Sequence, residues 1–219
     1  MKVINLGDSN SVLNTFIAEM RDSRIQKDSL RFRTNLKRIG NLMAYEISKT
    51  LKYEKREVVT PLATATMSLP KDEIVIGTVF RAGLPFHEGF LEIFDKAGNA
   101  FLSAYRYYTD RECNNIDVHI EYIATPDLYK KTFILVDPML ATGESLILAH
   151  RAFVTKGVPK RIILASVIAT EQGVARLQEK FPNTNIVLYT AAIDPILNDH
   201  KYIVPGLGDA GDLMYGEKL

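Results

Sequence analysis

Along residues 30 to 52 apolar side chains return every three or four positions, with Leu36, Ile39, Leu42, Met43 and Ile47 on one face and Arg31, Arg33, Lys37 and Arg38 off it. That period predicts an amphipathic helix, as does the shorter stretch 11 to 22. From Ile74 onward the pattern changes. Apolar and β-branched runs (Ile74 to Phe80, Phe101 to Tyr105, Val118 to Ile123, Phe133 to Val136, Ile162 to Ile168, Ile186 to Tyr189) alternate with helical stretches. The helices are expected from about Leu84 to Phe94, up to about Thr155, and from Glu171 to Lys180. Such βα alternation with short connections implies an α/β fold, a doubly wound and mostly parallel sheet with helices on both faces. The expected organisation is a single domain over 1–219, with an N-terminal helical appendage at 1–55. After Tyr189 the alternation stops, and 190–219 reads as a long irregular tail holding Pro195, Pro205, Gly206, Gly208 and Gly211. Irregular segments of that length in compact domains usually carry function. No internal repeat or low-complexity segment interrupts the chain.

Composition narrows the classes of function. The 219 residues are 47% hydrophobic and 24% charged, the composition of an ordinary soluble domain. Lys+Arg of 27 against Asp+Glu of 26 leaves a formal charge of +1, so no global field would gather nucleic acid or an anionic membrane. Any anion site must be local. No apolar run approaches the roughly 18 to 20 residues of a membrane span, and the opening Met1 to Asn5 meets polar Asp8 and Asn10 too soon for a signal peptide. A cytoplasmic protein is expected. Cys113 is the sole cysteine, which excludes an internal disulfide and fits a reducing compartment. His87, His119, His150 and His200 lack metal-ligand spacing and are expected at the surface or in loops.

The richest chemistry lies in Phe133 to Ser145. An apolar strand ends in Asp137, and Ala141 to Ser145 then forms a small-residue turn into a helix. Helix starts leave backbone N–H groups unpaired, and these welcome a phosphate dianion. The hydroxyls of Thr142 and Ser145 can converge on the same phosphate. Asp137, at the carboxyl end of a strand, stands where doubly wound folds bind ligands and could accept hydrogen bonds from ribose hydroxyls. The plainer alternative is a turn in which Thr142 only caps the helix and Gly143 only relieves the bend. The segment resembles the phosphoribosyl diphosphate signature of the type I phosphoribosyltransferases. Asp137-Pro138-Met139-Leu140-Ala141-Thr142-Gly143 is similar, more narrowly, to the uracil phosphoribosyltransferase family. Pro138 replaces the second acid of most type I members, as in the uracil family, while Glu144 stands where that family usually has glycine.

Three further blocks carry the resemblance. Arg81-Ala82-Gly83 follows the run Ile74 to Phe80. A cation at a strand end followed by two minimal residues lets main chain close around a diphosphate, although a lone arginine capping the sheet edge would look alike. The family has a diphosphate loop here, typically with a cis peptide, and then Leu-Gly where this chain has Leu84-Pro85. Arg106, expected one residue beyond the strand Phe101 to Tyr105, matches a family arginine that contacts the leaving diphosphate. The following Thr109 to Asn115 departs from the family and reads either as a mobile hairpin over the substrate or as a solvated loop.

In the tail, Gly206, Gly208 and Gly211 satisfy GxGxxG. Only eight residues follow Gly211, too few for the helix, strand and acidic residue of a dinucleotide-binding unit. Glycine-rich main chain can instead face a flat base closely, and uracil offers an acceptor–donor–acceptor edge. The resemblance assigns Ile203, Gly208, Asp209 and Ala210 to the uracil pocket of a base-binding hood at 190–219, with Asp209 also near the ribosyl donor. Leu213 stands where the family usually has arginine.

Taken together, the resemblance implies transfer of the 5-phosphoribosyl group from phosphoribosyl diphosphate to uracil N1, giving UMP and diphosphate. It implies Arg81, Arg106 and Asp209 as catalytic. The phosphoribosyl diphosphate ligands would be Arg81, Ala82, Gly83, Arg106, Asp209 and Asp137 through Ser145, namely Asp137, Pro138, Met139, Leu140, Ala141, Thr142, Gly143, Glu144 and Ser145. Mg²⁺ would be the cofactor, with no assigned side-chain ligands. The partners implied are the two substrates, a purine nucleotide effector as in some relatives, and a homodimer or larger homo-oligomer. Arg31 to Gly40 and Tyr45-Glu46 resemble the family's N-terminal helix, which packs on a second subunit. The competing reading is a regulatory protein that senses phosphoribosyl diphosphate or a nucleotide and has lost catalysis.

Overall fold

A computed structural model describes residues 1–108, 116–182 and 184–217. In chain order the elements are β1 (Lys2–Asn5), α1 (Leu13–Arg21), α2 (Ser29–Ser48), β2 (Tyr53–Val59), β3 (Thr64–Pro70), β4 (Ile74–Val79), α3 (Leu84–Ile93), β5 (Gly98–Tyr108) and β6 (Ile116–Ala124). Then come β7 (Thr132–Val136), β8 (Met139–Leu140), α4 (Glu144–Val154), β9 (Arg161–Thr170), α5 (Glu171–Lys180), β10 (Ile186–Asp194), β11 (Ile196–Leu197), β12 (Ile203–Val204) and α6 (Ala210–Tyr215). No helix among the described residues is long and apolar enough to cross a membrane.

The central sheet runs β1-β10-β9-β7-β4-β5-β6, with β8 also on β9. Every pairing is parallel except β5 with β6. This is the expected doubly wound α/β architecture. β4 leads through α3 to β5 on one side, while its other neighbour β7 leads through α4 to β9 in the opposite direction. The sequence of strands therefore reverses between β4 and β7, and ligands bind at the carboxyl ends around such a switch.

Side chains alternate across the buried strands. In β7, Phe133 and Leu135 join a core with Phe153 of α4 and Leu177 of α5. Ile134 and Val136 face the other way, into a core shared with α1, α2, α3 and α6. Fully buried parallel strands need two apolar faces, which is why their sequences read as unbroken apolar runs.

The N-terminal segment differs from its expectation. Residues 1–55 are not an appendage: β1 pairs with β10, and α2 buries Phe32, Leu36, Ile39, Met43 and Ile47 in the main core. The α2 and α3 backbones pack directly, since a Cβ at Gly40 or Gly89 would strike the other helix's main chain. The expectation failed because helical periodicity reports a buried face without saying what buries it. The β2–β3 hairpin is a second departure, exposed along most of both strands, so its alternation carried little apolar signal. His87 is a third: it lies in α3 only 2% exposed, with Nε2 2.7 Å from Asn99 Oδ1 and its ring against Phe101. Burial holds its pKa below the ordinary 6.5.

Candidate active site

One cavity of about 920 Å³ opens at the carboxyl ends of β4 and β7. Its lining includes Arg81 and Ala82, Asp137, the run Met139 to Ser145, and Ile203 with Gly208, Asp209, Ala210 and Gly211. Segments separated by more than fifty residues of chain thus meet in one cleft. The parallel pairing of β4 with β7 accounts for half of this, because the residues after two adjacent parallel strands emerge side by side.

The 141–145 loop, expected from the sequence to cradle an anion, turns sharply into α4. Gly143 has φ +81°, a left-handed conformation that a side chain would strain, and it precedes α4 without any side-chain cap. The Glu144 N–H lies 3.5 Å from Thr142 Oγ1, at the outer limit for a hydrogen bond, so Thr142 does not act as a firm cap. Amides at the start of α4 therefore have no intrahelical acceptor, and Gly143, Glu144 and Ser145 all line the cavity. From below, the loop is fixed by α5. Thr170 Oγ donates to the Ala141 carbonyl at 2.6 Å and accepts from the Gly173 N–H at 2.8 Å. A Cβ on Gly173 would run into that same Ala141 carbonyl. Asp137 is partly buried, and its Oδ1 accepts from the Met139 N–H at 3.2 Å.

Arg81 sits between the two halves. The Phe80–Arg81 peptide is cis. Arg81 Nη2 donates to Asp212 Oδ1 at 3.1 Å and lies 3.4 Å from the Gly216 carbonyl, both in or beside α6. Its Nε is buried with no hydrogen-bond partner. A buried guanidinium N–H without an acceptor is costly. Gly83 does not line the cavity; it starts α3, and a Cβ there would clash with the Thr78 hydroxyl. Pro138 is likewise outside the lining, its carbonyl accepting from Val167 and Ile168 N–H groups at 3.1 and 3.0 Å.

The tail is ordered rather than irregular. β10 continues to Asp194, β11 and β12 pair antiparallel, and α6 follows. Sequence reasoning ended the pattern at Tyr189 because these pieces are only two to six residues long. Asp209 caps α6, its Oδ1 accepting from the Asp212 N–H at 3.0 Å. Gly208 has φ +88°, and the Val204–Pro205 peptide is cis.

Arg106 lies inside β5, opposite Val118 of β6, and not beyond the strand as expected. The strand runs three residues further than its apolar run because polar residues can occupy a pairing with an edge strand. The Thr109 to Asn115 segment lies outside the described residues. Lys201, Ser103 and Glu217 also line the cavity and carried no motif in the sequence, and Tyr202, at the head of the glycine-rich tail segment, lines it too.

The departures from the family pattern have local reasons. Pro85 falls in the first turn of α3, where a missing N–H costs nothing. Glu144 lies in the first turn of α4 and pairs with Arg176 of α5 at 3.2 Å. Leu213 packs against the main core.

The uracil phosphoribosyltransferase family model matches residues 8–217. A Porphyromonas gingivalis uracil phosphoribosyltransferase is 56% identical over 219 residues, covering 100% of both chains. One from Pyrococcus furiosus is 38% identical, covering 99% of this chain and 91% of its own. Among solved structures, an Aquifex aeolicus protein superposes with a TM-score of 0.86 at 31% identity, covering 99% of each chain.

Proposed function

This chain belongs to the uracil phosphoribosyltransferase family, and we propose that it transfers the 5-phosphoribosyl group of phosphoribosyl diphosphate to uracil N1, releasing UMP and diphosphate. The observation that carries this reading is the meeting of the 141–145 cradle, Arg81 and the Gly208–Gly211 turn in a single cavity.

The phosphate of the donor would lie on the loop amides and the hydroxyls of Thr142 and Ser145, with Asp137 accepting from the ribose hydroxyls. As the C1–O bond stretches, positive charge grows on the sugar and negative charge on the departing diphosphate. Catalysis of such a transfer is mostly placement and charge stabilisation. Arg81, with one buried N–H unpartnered, would serve the diphosphate, joined by Arg106. Main chain at Ile203, Gly208 and Ala210 would meet the O4, N3–H and O2 edge of uracil. Cytosine presents a donor in place of O4 and would leave site donors unpaired. Asp209, on the same turn, would lie between base and ribose.

Among the described residues no cluster of three His, Cys, Asp or Glu side chains could cage a metal, while Asp137 and Asp209, with Glu144 and Glu217, line the cavity without forming such a cluster. That donor set fits Mg²⁺, which prefers phosphate oxygens and water with one or two carboxylates. When bound with the diphosphate it supplies charge neutralisation of the leaving group.

Homodimer formation also belongs to this reading. It is supported by apolar side chains left in solvent on the β2–β3 hairpin, among them Val59 and Leu62, and would be read from the mass in solution.

The decisive experiment is uracil-dependent diphosphate release, with and without Mg²⁺, in the presence of cytosine or hypoxanthine as competitors. Release that requires uracil and resists both competitors is expected. No release, or release driven by another base, would overturn the reading.

A further inference from the structure

Arg21, the last residue of α1, reaches across the fold to the base of the hood. Its Nη1 and Nη2 donate to Asp194 Oδ2 and Oδ1 at 2.8 and 2.7 Å, a two-pronged pair. Nη1 also donates to the Gly206 carbonyl at 3.0 Å. Asp194 Oδ2 in turn accepts from the Gly206 N–H at 2.9 Å. Both backbone groups of Gly206 are thereby committed to one ion pair whose side chains are only 23% and 7% exposed. The closed loop from Asp194 to Gly206 contains β11 and β12, including Ile203.

None of these three residues lines the cavity, yet the cavity-lining run Gly208 to Gly211 begins two residues after Gly206. The far end of that run is held as well. Ser29 Oγ donates to the Leu213 carbonyl and Arg33 Nη1 to the Met214 carbonyl, both at 2.7 Å. The turn is stretched between two anchors supplied by α1 and α2.

A largely buried ion pair is a poor device for stability alone, since desolvation offsets much of the attraction and apolar packing would serve as well. What a two-pronged pair does supply is direction, because both N–H···O bonds must be satisfied together. We propose that Arg21, through Asp194, is a positioning residue for the base pocket: it sets where the Gly208–Gly211 main chain stands relative to the sheet and so governs affinity for the pyrimidine. This rests on the reading of 203–210 as the uracil site. The 141–145 cradle is anchored separately by Thr170 and Gly173, so the two substrates are expected to respond differently.

The test compares Arg21→Lys, which keeps the charge and loses the fork, with Arg21→Ala. Arg31→Ala is the control, breaking an exposed α1–α2 ion pair with Glu19 at 3.2 Å that has no link to the hood. The uracil KM should rise on the order of tenfold in Arg21→Lys and further in Arg21→Ala. The KM for phosphoribosyl diphosphate should stay within about twofold, and Arg31→Ala should change neither. Equal shifts in both KM values, a lowered Tm with unchanged kinetics, or the same uracil effect from Arg31→Ala would overturn the assignment. Amide hydrogen exchange across 206–211, measured on Arg21→Lys, reads the anchor without relying on activity. Faster exchange confined to that run supports it, and unchanged exchange overturns it. Wild-type protein that releases no diphosphate with uracil would instead sink the functional reading, leaving the exchange result to decide the anchor.

Discussion

The guanidinium of Arg81, at the end of β4, donates to the carboxylate of Asp212, 131 residues later in α6, at 3.1 Å. This bond links the loop that would hold diphosphate to the helix that follows the base turn. Both side chains are about one-third exposed, so its worth to stability is small, less than about 1 kcal/mol by analogy with exposed pairs. Under the proposed function the same guanidinium would serve the diphosphate, and substitution separates the two roles.

Arg81→Ala should accordingly lower kcat/KM on the order of a hundred- to a thousandfold, the scale for removing a donor to developing charge. The Tm should move by no more than a few degrees. Parallel loss of activity and Tm in a thermal and kinetic comparison would assign Arg81 to the scaffold.

Asp209 both caps α6 and lines the cavity, and two substitutions separate the roles. Asp209→Asn retains a capping oxygen and should leave the Tm close to wild type while lowering turnover. Asp209→Ala should cost about 1 kcal/mol more in stability through loss of the cap. Chemical denaturation alongside steady-state kinetics reads both.

Gly173 does not itself line the cavity, but a Cβ there meets the carbonyl of cavity-lining Ala141 and must push that loop. Gly173→Ala is expected to raise the KM for phosphoribosyl diphosphate more than that for uracil, with about 1 to 3 kcal/mol of lost stability from overpacking. An unchanged KM would show that the loop yields without consequence.

His87 gives a pH signature. Burial depresses its folded pKa below 6.5, so the folded chain protonates it at lower pH than the unfolded chain does. As pH falls through 6.5 the unfolded chain takes up a proton that the folded chain refuses, and stability is lost until the folded value is passed. His150 is depressed for the same reason and adds in the same direction. Melting curves from pH 7.5 downward should therefore show a falling Tm below about 6.5, and His87→Gln should flatten part of that slope. A slope identical in wild type and variant would exclude His87 as its source.

The βα alternation was legible because each buried parallel strand is a short unbroken apolar run and each helix carries its own period. The phosphate loop was legible for a similar reason: Asp137 to Ser145 is one contiguous strand, turn and helix start, so its hydrogen-bonding geometry is written in adjacent residues. Motif spacing likewise marked Arg81-Ala82-Gly83 and the glycines of the tail. It gave no warning that Gly83 and Pro138 serve packing and backbone pairing away from the cavity wall. Nor did it mark Lys201 as a lining residue, because it belongs to no recurrent local pattern.

What the chain alone determined was thus the set of local pieces, since helix period, strand apolarity and turn chemistry act over a few neighbouring residues. Only the tertiary structure decided how those pieces meet: β4 beside β7, β1 on the sheet edge, α2 inside the core, and Arg21 on Asp194 across 173 positions. Pairings of that range depend on which faces bury one another when the whole chain closes. Such choices are set by summed burial and hydrogen-bond satisfaction, which no single segment contains.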